Sequence, residues 1–310
     1  MIQLFDTPIT DLETEIVGPM RAPLQMLASQ TYDGHASIHD DNTAQKLGFK
    51  GGTIEGPTHF SQFDPLAVHL FGEAWFETGC ISVQYRNPVF EGENVQAVAS
   101  KPQDGARRSE IRMEREDGAA ILQGTLSIGP DHPPSALDQR LPSLRPLENP
   151  LILADIKVGM RTPRRRIEMD FDQNMGALYP FSLREKLERI TENSPIYAKG
   201  AGRWRAPIIP FEMLSVLFCY TNSDDTFPVK GPVVGLFADQ EIRLLDGPVF
   251  VGQPYDIERE VIALSGSRRT ESMWVRSTLF QAGKDKPAAS MLLNLANLKE
   301  SYAGYQDQQS

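Results

Sequence analysis

Cysteine is scarce: the 310-residue chain has two, Cys80 and Cys219. They stand alone in apolar surroundings without metal-type spacing. This excludes a disulfide framework and reads as two buried free thiols in a reducing, cytoplasmic setting. No apolar run reaches the roughly 18 residues needed to span a bilayer, so no membrane partner is expected. The opening stretch MIQLFDTPITDLETEIVG is acidic and has neither the basic nor the apolar region of a signal peptide. Positive charge is in deficit, with 31 Lys and Arg against 41 Asp and Glu and a net charge of −10. Counterion release from nucleic acid needs a basic face, so no nucleic acid is expected as partner. The basic run RTPRRR, Arg161 to Arg166, reads as a solvated linker. Histidine is also rare, with five copies (His35, His39, His59, His69 and His132), all in the first 132 residues. Imidazole chemistry, if there is any, belongs to the N-terminal half. No metal ion and no cofactor is expected.

What is present is a globular composition, 40% hydrophobic and 23% charged, and a repeat. Pro88, Val89, Phe90 and Gly92 recur as Pro248, Val249, Phe250 and Gly252, 160 residues on. Each copy precedes β-rich segments: NVQAVAS, RSEIRMER and AAILQGTLSIG in the first, YDIEREVIALSG, RRTESMWVRSTLFQ and ASMLLNLANL in the second. Alternating polarity broken by Gly-rich turns predicts an antiparallel meander in each half. Upstream of each meander lies a helical stretch. In THFSQFDPLAVHLFG, Phe60, Phe63, Ala67 and Leu70 form an apolar stripe that Pro65 kinks or divides; IIPFEMLSVLFCY is apolar nearly all round and hence buried. The expected architecture is α+β, a double hotdog of two antiparallel sheets, each wrapped around a long central helix and joined edge to edge. The expected organisation is an N-terminal hotdog over 1–130, a proline-rich linker over 131–157, and a C-terminal hotdog over 158–310 that has no histidine.

The stretch SIHDDNTAQKLGFKGGTIEGPTHFSQF, Ser37 to Phe63, resembles the signature of the MaoC-like hydratase/dehydratase branch of the hotdog superfamily, with Ile38-His39, Ala44, Gly48-Phe49 and Gly56 in its places. A worn copy in the second half runs from Glu192 through Asn193-Ser194-Pro195-Ile196-Tyr197 to Gly202-Arg203 and the Pro207–Phe211 stretch. The resemblance implies addition or removal of water at the α,β position of an acyl thioester, as in enoyl-CoA hydratases. An acid and a histidine handle the water, and a backbone N–H at the start of the central helix polarises the thioester oxygen. Such a donor stabilises an enolate-like transition state wherever it occurs. The chain departs from the pattern at three places. Gly34 stands where the acid is expected, with Asp33 one position earlier; Glu55 replaces the histidine before Gly56; and Tyr197 replaces the histidine of the second half.

The candidate catalytic residues are therefore His39, Asp33, Glu55 and His59, and the candidate substrate-binding residues are Gly56, His35, Trp75, Tyr197 and Arg203. His39 is read as functional from its place between Ser37-Ile38 and an acidic pair; Asp40 and Asp41 read as helix caps. Glu55 in an apolar cleft can serve as acid or base, or it can simply pair with the helix dipole. His59, four residues on, shares a helical face with Glu55 and Phe63 and is either a buried structural histidine or a second catalytic group. Trp75 either packs the core or lines a pocket. Two further functions stay open: the same scaffold retuned as dehydratase, isomerase or cyclase of a metabolite without CoA, and a non-catalytic binding subunit. A two-fold homodimer is the expected assembly.

Overall fold

The computed structural model describes residues 3–31, 37–103 and 105–306. Eleven antiparallel strands form one continuous sheet. The strands are β1 (Thr10–Asp11), β2 (Glu15–Val17), β3 (Gly79–Tyr85), β4 (Val95–Ser100), β5 (Arg108–Arg115), β6 (Ala120–Ile128), β7 (Arg165–Ile167), β8 (Gly235–Leu244), β9 (Tyr255–Gly266), β10 (Thr270–Gln281) and β11 (Pro287–Leu298). Their order is β1-β2-β4-β5-β6-β3-β8-β11-β10-β9-β7. The halves meet where β3 pairs with β8, with Ile81 opposite Ile242 and both fully buried. The outermost strands β1 and β7 have two and three residues, which leaves little free edge for another chain to extend. β7 comes from the RTPRRR run. That run is therefore not a solvated linker: Arg161, Arg164 and Arg166 reach Glu260, Asp285 and Asp256 in ion pairs.

The repeat is built into the backbone. Ile54 N–H bonds the Val89 carbonyl (2.8 Å) and Ile209 N–H bonds the Val249 carbonyl (2.9 Å). Gly92 and Gly252 both turn the chain at positive φ, 86° and 69°, which a side chain would resist. Thr53 N–H bonds Ile38 O and Ile208 N–H bonds Ile196 O. Ile38-His39 and Ile196-Tyr197 thus occupy corresponding places.

Neither central helix is a single long α-helix. In the N-terminal half, Gly56–Phe63 winds as a 3-10 helix and continues as an α-helix over Asp64–Phe71. Pro65 explains the change. It cannot donate to the carbonyl four residues back, and its ring crowds that carbonyl, so α-winding stops upstream of it. In the C-terminal half, Phe211–Cys219 is a nine-residue α-helix with every residue buried. The two packed helices contribute Phe60, Phe63, Leu66, Met213, Leu214 and Leu217 to one shared core. The proline-rich segment after β6 is more ordered than its composition indicates. Ser135 and Asp138 form a reciprocal capping box on a short helix, Ala136–Arg140, whose Leu137 packs with Trp274 and Leu292.

Candidate active site

The turn into the 3-10 helix lines a cavity of about 270 Å³. His39, Thr53, Ile54, Glu55, Gly56 and His59 contribute to it from the signature stretch. Tyr85 and Arg86 reach it from the end of β3, Tyr179 from the C-terminal half, and Gly235 to Ala238 from β8. The cavity therefore sits where the two halves join.

His39 is held by the chain segment before the helix. Its Nδ1 lies 2.6 Å from the Thr53 carbonyl, which also accepts from Gln25 Nε2. A carbonyl only accepts, so Nδ1 carries the proton and Nε2 keeps its lone pair. Burial lowers the imidazole to about 4, opposed by the Thr53 hydrogen bond, so the ring is neutral at pH 7. The neighbouring acids act as caps: Asp40 accepts from Thr43 N–H (2.9 Å) at the start of helix Asp41–Lys46, and Asp41 accepts from Gly52 N–H (2.7 Å).

Glu55 is 7% exposed. Burial pushes its carboxyl up to about 7; Lys186 and a hydrogen bond from Tyr179 pull down, and Glu212 pushes up. Next to it, the Gly56 N–H has no acceptor among the described residues, and Pro57 has no N–H to offer. A Cβ on Gly56 would lie 2.5 Å from the Tyr85 ring. The glycine is thus needed for an aromatic ring to pack on the helix start, and Tyr85 is in turn fixed by its hydroxyl, which donates to Gln240 Oε1 (2.8 Å). His59 is 2% exposed, its Nδ1 has no hydrogen-bond partner, and burial with the Lys186 charge lowers it to about 3. The face expected to join Glu55, His59 and Phe63 forms only in part: three residues per turn align His59 with Gly56 and Gln62 and turn Phe63 away from it, while Glu55, the N-cap, lines the same cavity as His59.

Three sequence candidates lie elsewhere. Trp75 is fully buried, stacks on Phe211 at 4.5 Å and donates Nε1–H to Asp64 Oδ1 (2.9 Å). Tyr197 is also fully buried and donates its hydroxyl to Asp64 Oδ2 (2.7 Å). Arg203 pairs with Glu77 (2.7 Å) and Glu73 (3.4 Å) and stacks over Trp204, away from the cavity residues. Asp33 and His35 lie outside the described residues. Tyr85 and Tyr179 line the cavity without having been candidates. The period-2 pattern of β3 puts Tyr85 on the face of Ile81 and Val83, a signal that was available; Tyr179 stands in an irregular segment with no such signal.

No protein-family model matches the sequence, and no curated protein matches it. Solved structures do match in fold. A protein described as a MaoC domain dehydratase from Chloroflexus aurantiacus superposes with a TM-score of 0.56 at 12% identity, over 96% of each chain. A conserved hypothetical protein from Mycobacterium tuberculosis with a double hotdog fold gives 0.53 at 11% identity, over 94% of this chain and 96% of the other. The chain therefore has the double hotdog fold, and MaoC-like dehydratases are among its structural neighbours. No helix among the described residues is long and apolar enough to cross a membrane.

Proposed function

We propose that the chain is a lyase that adds or removes water at the α,β position of an activated carbonyl compound, with an acyl thioester as the leading substrate class. One observation carries this reading: a carboxyl poised near neutrality, a neutral imidazole and a free backbone N–H line the same cavity. In the dehydration direction, Nε2 of His39 takes the α-proton and its electron pair becomes the new C=C bond. Protonated Glu55 gives its proton to the β-hydroxyl, which leaves as water. The Gly56 N–H holds the enolate oxygen that forms between these events. A protonated Glu55 does not oppose that oxyanion, so burial reconciles a carboxyl with the place where the family carries a histidine. His59, neutral and with Nδ1 free, is the third polar group and positions the leaving or attacking water. Nδ1 of His39, held to the Thr53 carbonyl, fixes which ring nitrogen faces the reaction.

A substrate without a CoA handle is the second reading. The cavity is slightly smaller than ordinary ligand pockets, which begin near about 300 Å³, and Arg86 is the lone Lys or Arg among the described residues lining it. A compact acyl group, or a small activated carbonyl compound, fits these dimensions better than a long chain. The test is a substrate panel with and without CoA, assayed on the native protein and on Glu55→Gln. Turnover of a compact acyl thioester, or of a small activated carbonyl compound, that is lost in Glu55→Gln is the expected outcome. Rapid hydration of crotonyl-CoA that survives Glu55→Gln would remove Glu55 from the chemistry.

A further inference from the structure

We propose that Lys186 is a positioning residue for Glu55, and that through it the C-terminal half sets the charge state of a site carried by the N-terminal half. The proposal rests on Glu55 being the group that exchanges a proton with substrate.

Lys186 belongs to a short helix, Leu183–Leu187, that the Ser182–Glu185 capping box starts. It is 4% exposed, a state that lysine rarely adopts unless it is paired. Its Nζ donates to Thr58 Oγ1 (3.1 Å), stands 3.9 Å from Glu212 Oε1 and lies over the Phe181 ring at 5.8 Å. Glu55 is the N-cap of the 3-10 helix, and the Thr58 N–H bonds its carbonyl (3.1 Å), closing the first turn. The bond from Lys186 to the Thr58 hydroxyl therefore ties the ammonium to the same turn that carries Glu55, and its charge favours the ionised Glu55 carboxyl.

Glu212, the second residue of the C-terminal central helix, approaches the same cation. One ammonium thus serves two buried carboxyls. Burial pushes both up to about 7 and Lys186 draws both down, while Glu212 acts against ionisation of Glu55. The remaining titratable or charged groups toward Glu55 are Tyr85 from β3, Tyr179, Cys219 from the C-terminal helix, His39, His59 and Arg86. Burial holds the Tyr85 hydroxyl well above its ordinary value, the Cys219 thiol at about 12, and the two imidazoles at about 4 and 3. None of those four changes charge between pH 5 and pH 9. Lys186 and Glu212 are the buried charges left to move Glu55, and they do so in opposite directions.

The opposition supplies the test. The protein is labelled with ¹³C at glutamate side-chain carboxyls, and the Glu55 signal is assigned by its loss in Glu55→Gln. Its titration is followed from pH 4 to 9 in the native protein, Lys186→Met, Lys186→Arg and Glu212→Gln. The Glu55 midpoint is expected to rise by about one unit or more in Lys186→Met, to stay near native in Lys186→Arg, and to fall in Glu212→Gln. The limb of the pH–kcat/KM profile that reports Glu55 moves the same way in each variant. A Glu55 midpoint unmoved by Lys186→Met would overturn the proposal, as would one that stays or rises in Glu212→Gln. Glu212→Gln keeps shape and volume, so it decides the matter even if Lys186→Met does not fold. The carboxyl titration needs no substrate. Its failure is therefore distinct from failure of the reading of Glu55 as the proton-exchanging group, which would show as full activity in Glu55→Gln.

Discussion

The two halves repeat one backbone and fill it differently. In the N-terminal half, Ile38-His39 and Ile54-Glu55-Gly56 border a cavity; in the C-terminal half, Ile196-Tyr197 and Ile209-Pro210-Phe211 stand in the same places, and the equivalent space is packed with rings. Trp75 stacks on Phe211 at 4.5 Å, and Tyr197 packs edge-on against Phe5 (6.0 Å) and Phe76 (6.3 Å). The worn acid of the second copy, Glu192, is 2% exposed and bound to Arg21 (2.6 Å) and Thr7 of the N-terminal segment. The difference separates two uses of one architecture. The half with glycine at the helix start keeps polar groups on an open space, and the half with phenylalanine there gives the space to the core. The closed half still supplies Tyr179, Lys186 and the end of β8 to the open one.

The largest effects are expected from erasing the open half's polar groups. Glu55→Gln and His39→Ala should each lower kcat/KM by about 10²–10⁴-fold, the range for loss of general acid–base catalysis, with unchanged circular dichroism. Full activity in either variant would strike that residue from the mechanism and bring the two halves closer in kind.

Next comes opening the closed half. Phe211→Ala removes a ring that is 1% exposed and stacked on Trp75, and deletion of a buried Phe costs about 3–5 kcal/mol. The expected outcome is a large drop in denaturation midpoint with substrate specificity unchanged. New activity, or stability left intact, would mean that the second cavity is closed less tightly than its packing shows.

Much of this contrast was legible in the sequence. The Pro-Val-Phe-x-Gly repeat and the meanders gave the double sheet because both are local signals: a turn that needs glycine, and a period of two. Ile196-Tyr197 matched Ile38-His39 for the same reason, and Pro65 marked the division of the first central helix. The 3-10 winding upstream of Pro65 was not legible, and with it went the expected alignment of His59 with Phe63 on one face. Helical spacing alone does not distinguish three residues per turn from 3.6 over eight residues. Trp75, Tyr197 and Arg203 were read as possible pocket residues, yet which side of a buried aromatic faces a cavity is decided by long-range packing. Burial of Lys186 was invisible too, since Arg184, Glu185 and Glu188 around it would suit a surface, whereas Glu212 lay within a stretch whose apolar residues already marked it as buried.

A smaller effect separates the halves by pH. Glu55 holds its proton to about pH 7 in the folded protein, against an ordinary value of 4.5. Between those values the folded state keeps a proton that the unfolded chain has released, so this group's contribution to stability falls as pH rises from 4.5 to 7. His39 and His59, depressed to about 4 and 3, act in the other sense and add stability as pH rises toward 6.5. The C-terminal half has no histidine to match them. Comparing the native protein with Glu55→Gln isolates the first contribution. Their difference in unfolding free energy should move against the native protein by up to about 3 kcal/mol between pH 4.5 and 7.5. A difference that does not vary with pH would place Glu55 in contact with water when folded.

The smallest effect concerns the residue that opens one half and closes the other. Gly56 is where the C-terminal copy has Phe211, and a methyl group there would meet the Tyr85 ring at 2.5 Å. That ring cannot swing freely, because its hydroxyl is bound to Gln240, whose amide in turn donates to Ser215 (2.8 Å). Gly56→Ala therefore forces a well-packed site to yield, at a cost of about 1–3 kcal/mol, the usual range for overpacking. If the clash with Tyr85 is the cause, Gly56→Ala should cost less in a Tyr85→Ala background, and the double-mutant cycle should show a coupling of about 0.5 kcal/mol or more. Strict additivity would assign the glycine to another need, such as the approach of substrate to its N–H. Turnover by Gly56→Ala sharpens the distinction. A methyl group that only displaces Tyr85 raises KM with kcat nearly kept, whereas one that blocks the N–H lowers kcat.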